Sequence, residues 1–202
     1  MKILIEGCDF SGKTTLAKNL KYYIEKNYDS CEYYHNPKGH LEISRNLYEE
    51  IKQETDEVIK NTKLLLSHAN NVKEINKIAT NNHTVVDRSI FSYYAYQLRH
   101  KSIEDTYQLF YDYLGFSQQD FYFDVAVGLT ANLEDLKKRA KKQNDELDDY
   151  FIQNMFEIKA CFDNFKDDIL IDSPVKLSYN TSMFGEQDLL NEITRVLDGR
   201  IE

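Results

Sequence analysis

Apolar and polar positions along this chain follow two rhythms. Short apolar runs closed by turn residues predict strands. Lys2 to Ile5 is the first, ending at Gly7, and Cys31 to His35, rich in aromatics, is the second. His83 to Asp87, Tyr122 to Leu129 and the short run Ile169 to Ile171 complete a set of five. Between them the apolar positions change to helical spacing. Leu16, Leu20, Ile24 and Tyr28 lie on one face of a first helix. Further helical stretches are expected across 41–79, 88–98, 103–113, 133–142, 150–165 and 186–197. Asn36-Pro-Lys-Gly-His40 marks a loop. The segment from Ser173 to Gly185 receives no element. Strands alternating with helices predict an α/β fold with a five-stranded parallel sheet and helices on both faces. Ligands of such sheets bind at the carboxyl ends of the strands. Four polar clusters fall there: the turn after Ile5, 35–40, Asp87-Arg88, and the connection after Leu129.

The chemistry begins in the first of those turns. Gly7-Cys-Asp-Phe-Ser-Gly-Lys-Thr14 fits G-x-x-x-x-G-K-[ST] at every fixed position, between a predicted strand and a predicted helix. Gly7 and Gly12 let the backbone curl so that N–H groups converge on an anion. The helix that follows adds the positive end of its dipole. Ser11, Lys13, Thr14 and Thr15 complete the expected nucleotide-binding set. Lys13 is expected to reach the β- and γ-phosphates of a nucleoside triphosphate, and the Thr14 hydroxyl to ligate Mg²⁺. With this motif the expected fold becomes a three-layer P-loop NTPase: one domain over 1–202 with a central five-stranded parallel sheet flanked by helices. A lid segment is expected around 133–150.

Composition narrows the partners. Hydrophobic residues make up 42% and charged residues 29% of the 202 positions, the range of ordinary globular chains. The net charge of −9 argues against a nucleic-acid partner, which needs a basic surface. It leaves a nucleotide acceptable, since that needs only a local basic pocket. No apolar run approaches the roughly 20 residues that span a bilayer, and no signal peptide is expected before the first strand. The three scattered cysteines, Cys8, Cys31 and Cys161, show no metal or redox spacing. They point to reduced thiols in a cytoplasmic setting. Cys8, inside the phosphate loop, reads as a small filler, with oxidation sensitivity as the other possibility.

Asp87-Arg88 directly follows a strand. An acid in that place holds the water shell of Mg²⁺, and an arginine beside it grips a second phosphate as a planar fork. Glu6-Gly-x-Asp9-x-x-Gly-Lys-Thr-Thr15 together with Asp87-Arg-x-x-x-Ser92-x-x-Ala95-Tyr96-Gln97 resembles the thymidylate kinase family. His35-Asn-Pro-Lys-Gly39 sits where that family has Arg-Glu-Pro-Gly-Gly. Leu65-Leu-Ser-His-Ala-Asn-Asn71 sits where it has Leu-Leu-Phe-Ser-Ala-Asn-Arg. Arg139-Ala-Lys141 and Glu146-Leu-Asp148 fall in its lid. The resemblance reaches to about Asp172.

That resemblance implies a nucleoside monophosphate kinase that uses ATP and Mg²⁺. Asp9 then meets the sugar 3′-hydroxyl or the acceptor phosphate region. Arg88 binds the acceptor monophosphate, supported by Ser92, and Thr14 and Asp87 serve the metal. Tyr96 stands against the sugar 2′ position, or is a core aromatic. Pro37, Ser67, Asn71 and Tyr93 fall in the acceptor site. Arg139, with Lys141 and Lys142 beside it, is the lid cation candidate. A homodimer through the helices around 41–100 is implied as well. The departures concentrate on the base pocket. The family's base-stacking Phe is Ser67, its base-reading Arg is Asn71, its loop Glu is Asn36 and its loop Arg is His35. The lid's Asp-Arg is Asp148-Asp149. His68 either reaches the base or is a surface or packed residue. The expected reaction is phosphorylation of dTMP or a related or modified pyrimidine deoxynucleoside monophosphate. The alternative is a deoxynucleoside kinase acting on a sugar 5′-hydroxyl, which needs a carboxylate base where Asn36 stands. A guanine-nucleotide switch is disfavoured because Asn76-Lys-Ile-Ala79 lacks the acid of its motif.

Overall fold

The computed structural model describes residues 1–39, 42–100, 102–117, 122–143, 149–167 and 170–201. Five parallel strands form one sheet in the order β2-β3-β1-β4-β5. They are β1 (Lys2–Gly7), β2 (Cys31–His35), β3 (His83–Asp87), β4 (Val125–Thr130) and β5 (Lys176–Asn180). The helices are α1 (Lys13–Asn27), α2 (Glu42–Gln53), α3 (Glu57–Ala79), α4 (Ile90–Tyr93), α5 (Ile103–Ser117), α6 (Leu133–Gln143), α7 (Asp149–Asp163) and α8 (Glu186–Ile201).

The sheet is buried on both faces because successive strand side chains point to opposite sides. Leu4, Val86 and Ala126 face a cluster with Phe91, Phe162 and Phe165. Ile3, Ile5, Val85 and Val127 face a second cluster with Leu16, Leu20, Ile193 and Leu197. β1 pairs with β3 on one side and β4 on the other. The chain reverses its winding there, and a crevice opens at the carboxyl ends. The phosphate loop and Asp87-Arg88 both lie at that edge.

Four predicted elements differ in detail. The fifth strand is not Ile169–Ile171 but Lys176–Asn180, inside the segment that had no assignment. Leu170 and Ile171 are buried, but they enter the core without joining the ladder; Ile169 lies outside the described residues. An apolar run reports burial, whereas β5 is an edge strand of half-exposed residues whose pairing shows only in three dimensions. Tyr122, expected to open β4, instead makes an isolated bridge to Asp172. The helical stretch across 41–79 divides in two, because Asp56 caps α3 by accepting from Val58 N at 2.9 Å and Ile59 N at 3.0 Å. Arg88, expected to start a helix, has φ 74° in the left-handed region. α4 begins only at Ile90, capped by Ser89, and widens into a π-turn over Tyr94–Leu98. Such turns recur at functional sites.

Candidate active site

The phosphate loop leaves β1 through Gly7, where no side chain fits. A Cβ there would lie 2.3 Å from the Leu129 carbonyl oxygen and 2.6 Å from Ser11 Oγ. Gly12 has φ 95° and begins α1. The Lys13 side chain folds back over the loop; its Nζ donates to the Cys8 carbonyl at 2.9 Å and lies 3.9 Å from Asp9 Oδ1. Burial pulls the Lys13 pKa down, aided by Arg88 and opposed by Asp9 and Asp87. Ser11 is fully buried and its Oγ has no partner among the described residues. Beside the loop lies a cavity of about 570 Å³, lined by Phe10, Gly12, Thr15, Arg139, Thr181 and Phe184 among others. Arg139, on α6, donates to the Phe10 carbonyl at 3.1 Å, to Thr181 Oγ1 at 2.8 Å and to the Thr181 carbonyl at 3.0 Å. It fastens the turn after β5 to the phosphate loop, so the unassigned segment supplies one wall of this cavity. Lys142 lines the same cavity. Glu146, Leu147 and Asp148 lie outside the described residues.

At the end of β3, Asp87 is fully buried. Its Oδ2 accepts from Thr14 Oγ1 at 3.0 Å and from Tyr33 OH at 2.8 Å. Its Oδ1 is buried with no partner among the described residues. A buried carboxylate oxygen left unpaired is costly unless a cation or ordered water completes it. An oxygen donor set of carboxylate and hydroxyl suits a hard ion such as Mg²⁺. No cluster of three or more His, Cys, Asp or Glu is arranged for a metal among the described residues.

The neighbouring residue builds a different site. The Arg88 guanidinium donates to Asp9 Oδ1 and lies over the Tyr96 ring, 5.5 Å from its centroid. Tyr96 OH accepts from the Asp9 backbone N–H at 2.9 Å. Burial pushes the Asp9 carboxyl up, but Arg88 and Lys13 outweigh it and hold the pKa down to about 2. The left-handed turn at Arg88 is held from both sides. The Asn36 side chain donates to the Arg88 carbonyl at 2.8 Å, and the Arg88 N–H donates to Ile5 O at 2.9 Å. Below it Glu6, fully buried, accepts from Ser89 Oγ at 2.6 Å and from Ser92 Oγ at 2.6 Å. Ser92 therefore anchors α4 to β1, with its hydroxyl proton committed to Glu6. Burial raises the Glu6 pKa against these hydrogen bonds.

Ser67 and Asn71, on α3, hold a loop. Ser67 Oγ donates to the Pro37 carbonyl at 3.0 Å, and Asn71 Nδ2 donates to the same carbonyl and to Asn36 Oδ1, each at 2.8 Å. Asn36-Pro37 is a cis peptide. Tyr93 OH donates to the Asn61 carbonyl at 3.1 Å, and its ring lies 6.0 Å from that of His68. His68 is 5% exposed, and burial followed by the charge of Arg88 lowers its pKa to about 4. His35 pairs with Asp87 across the strands, and burial lowers its pKa also.

These shifts set a pH response. A histidine with a depressed folded pKa binds fewer protons than the unfolded chain between 6.5 and about 4. Stability therefore falls as pH drops through that window, by at most roughly 1.4 kcal/mol per pH unit for one group. Asp9 adds a second loss between 3.8 and about 2. His68→Gln should reduce the slope in the first window, to which His35 also contributes, and leave the second, measured by urea unfolding from pH 7 to 3. An unchanged slope would show that His68 titrates as it does in the unfolded chain.

A family model, described as thymidylate kinase, matches residues 5–173. The chain belongs to the thymidylate kinase family. Solved thymidylate kinases share its fold. That from Ehrlichia chaffeensis is 20% identical, with a TM-score of 0.67 and 98% of each chain covered. That from Candida albicans, an enzyme described as having broad substrate specificity, is 18% identical with a TM-score of 0.64. It covers 98% of this chain and 91% of its own. No curated protein matches the sequence. As a member of the thymidylate kinase family, this chain is a nucleoside monophosphate kinase.

For a thymidylate kinase family site, most of the singled-out residues converge. Asp9, Lys13, Thr14, Asp87, Arg88, Ser92 and Tyr96 meet at the carboxyl ends of β1 and β3. Two contributors had no role assigned from sequence. Glu6 is signalled by a charge inside an apolar strand, which must be satisfied internally. Tyr33 carries no local signal, because its reach to Asp87 depends on the register of β2 against β3.

Proposed function

We infer that this kinase transfers the γ-phosphoryl group of ATP to a deoxynucleoside monophosphate, dTMP or a related or modified pyrimidine nucleotide. One observation carries the reading. Two separate cations, the buried Lys13 in the phosphate loop and the half-buried Arg88 at the end of β3, flank Asp9. Two cations serve two phosphate groups. Lys13 and the loop N–H groups hold the donor phosphates, with Gly7, Ser11, Gly12, Thr14 and Thr15 shaping the cradle. The cavity between the loop and the turn around Thr181 takes the donor's base end, closed over by a lid around 133–150 that includes Arg139. Arg88 binds the acceptor phosphate as a planar fork after exchanging its bond with Asp9. Asp9 and Tyr96 then face the acceptor sugar. Pro37, positioned by Ser67 and Asn71, and Tyr93 wall the acceptor pocket.

Phosphoryl transfer asks chiefly for alignment and charge neutralisation. A monophosphate oxygen is already ionised at neutral pH, so no general base is required. Asn36, whose amide is committed to Arg88 and Asn71, is acceptable under that chemistry. Thr14 and Asp87 would hold Mg²⁺, which would supply charge neutralisation during the transfer. The whole chain acts as one kinase domain. No described helix is long and apolar enough to cross a membrane, which is compatible with a cytoplasmic enzyme. A homodimer through α2–α4 is part of the same reading; Ile59 and Leu66, two turns apart on α3, expose apolar side chains there.

The test is ADP release with ATP, Mg²⁺ and a panel of acceptors: all deoxynucleoside and ribonucleoside monophosphates, 5-substituted dUMPs, thymidine and deoxycytidine. Selective turnover of a pyrimidine deoxynucleoside monophosphate supports the reading. Turnover only with an unphosphorylated nucleoside overturns it in favour of a deoxynucleoside kinase.

A further inference from the structure

The hydrogen bonds around Asp87 are unevenly shared between its two oxygens. Oδ2 accepts two hydroxyl protons, from Thr14 at 3.0 Å and Tyr33 at 2.8 Å. Oδ1 accepts none from the described residues, although it is fully buried. A carboxylate whose two oxygens had equal partners would gain nothing from a particular orientation. Here the two hydroxyls fix which oxygen stays open. Thr14 meets a second condition: in giving its proton to Asp87 it keeps its lone pairs for another ligand. Tyr33 cannot be exchanged with Thr14 in this scheme. Its phenol extends from β2, beyond the strand that carries Asp87, and reaches the carboxylate from the side opposite β1.

We propose that Tyr33 is a positioning residue of the metal site: its hydroxyl pins Oδ2 of Asp87 so that Oδ1 is presented to the divalent cation. The proposal rests on the reading of Thr14 and Asp87 as the metal's protein partners. Outer partners that orient a metal-binding carboxylate typically change metal affinity by about 10- to 100-fold when removed. Tyr33 shares its task with Thr14, so the lower end applies.

The experiment uses Tyr33→Phe, which keeps the ring and removes only the hydroxyl. Mn²⁺ binding to the enzyme–ADP complex is followed by electron paramagnetic resonance. ADP affinity in EDTA, thermal unfolding, and kcat at saturating Mg²⁺ are measured alongside, with Asp87→Asn as a reference. The expected result is about tenfold weaker Mn²⁺ binding in Tyr33→Phe, with metal-free ADP affinity unchanged and kcat at saturating Mg²⁺ within about threefold of the parent. Unchanged Mn²⁺ affinity in Tyr33→Phe, with Asp87→Asn strongly weakened, overturns the role of Tyr33 alone. Unchanged affinity in Asp87→Asn overturns the metal-site reading and the proposal with it. A loss of metal-free ADP affinity equal to the loss of Mn²⁺ affinity also overturns the proposal, since it marks a distorted phosphate loop.

Discussion

Replacing Lys13 by Met should lower kcat by about 10²–10³-fold while leaving the fold intact. The Lys13 side chain is 6% exposed and its ammonium sits on the loop carbonyl of Cys8, which on the proposed reading is where charge builds up during transfer. Removing one preorganised donor of this kind typically costs that much in turnover. Stability moves the other way. Burial disfavours the charged form of Lys13, and Asp9 keeps its stronger partner, Arg88. Methionine of similar length fills the space without that penalty. Thermal unfolding should therefore show a midpoint equal to or a few degrees above the parent. Turnover within tenfold of the parent would sink the assignment of the phosphate loop as the donor site.

The second large effect is expected at Arg88. Arg88→Ala should reduce kcat/KM for the acceptor by about 10²–10³-fold, the usual loss when one partner of a hydrogen-bonded charge pair is removed. The KM for ATP should stay within about threefold. Arg88→Lys should recover little, because a single ammonium cannot replace a planar fork that grips an incoming phosphate through two N–H groups. The same substitution has a consequence that needs no substrate. Burial pushes the Asp9 carboxyl up, and Arg88 is the largest influence holding it down. Without Arg88 the Asp9 pKa rises from about 2 toward its unfolded value of 3.8, so the acid-side loss of stability between those values shrinks. Urea unfolding between pH 5 and 2 measures it. If acceptor and ATP parameters fall together, Arg88 is serving the loop as a whole rather than a second phosphate.

The phosphate loop was readable because every part of its function is local. Gly7 and Gly12 relieve the backbone, and the next helix starts where the motif ends. Tight turns depend on a few adjacent residues, and those are spelled out in order. The strands β2 and β3 were readable for a similar reason: their boundaries coincide with changes in the polar pattern. β5 was not, since an edge strand of intermediate burial carries a weak pattern. Ser67 and Asn71 also make contacts that the sequence did not show. Their alignment with base-contacting positions pointed to the acceptor base. In the folded chain, smaller polar side chains at these positions turn back to the Pro37 carbonyl.

What the sequence by itself determined is the phosphate loop, the α/β order, the family, and the residue types that meet two phosphates. Only the tertiary structure decided which of those residues hold one another. Asp9 and Arg88 are paired across 79 positions and Tyr33 and Asp87 across 54. Glu6 receives Ser89 and Ser92 from across the β1–β3 crossing. The physical reason is that backbone turns and helix starts are governed by neighbours within a few residues. A carboxylate's partner depends on strand order, register and the depth of burial, which exist only once the sheet has formed.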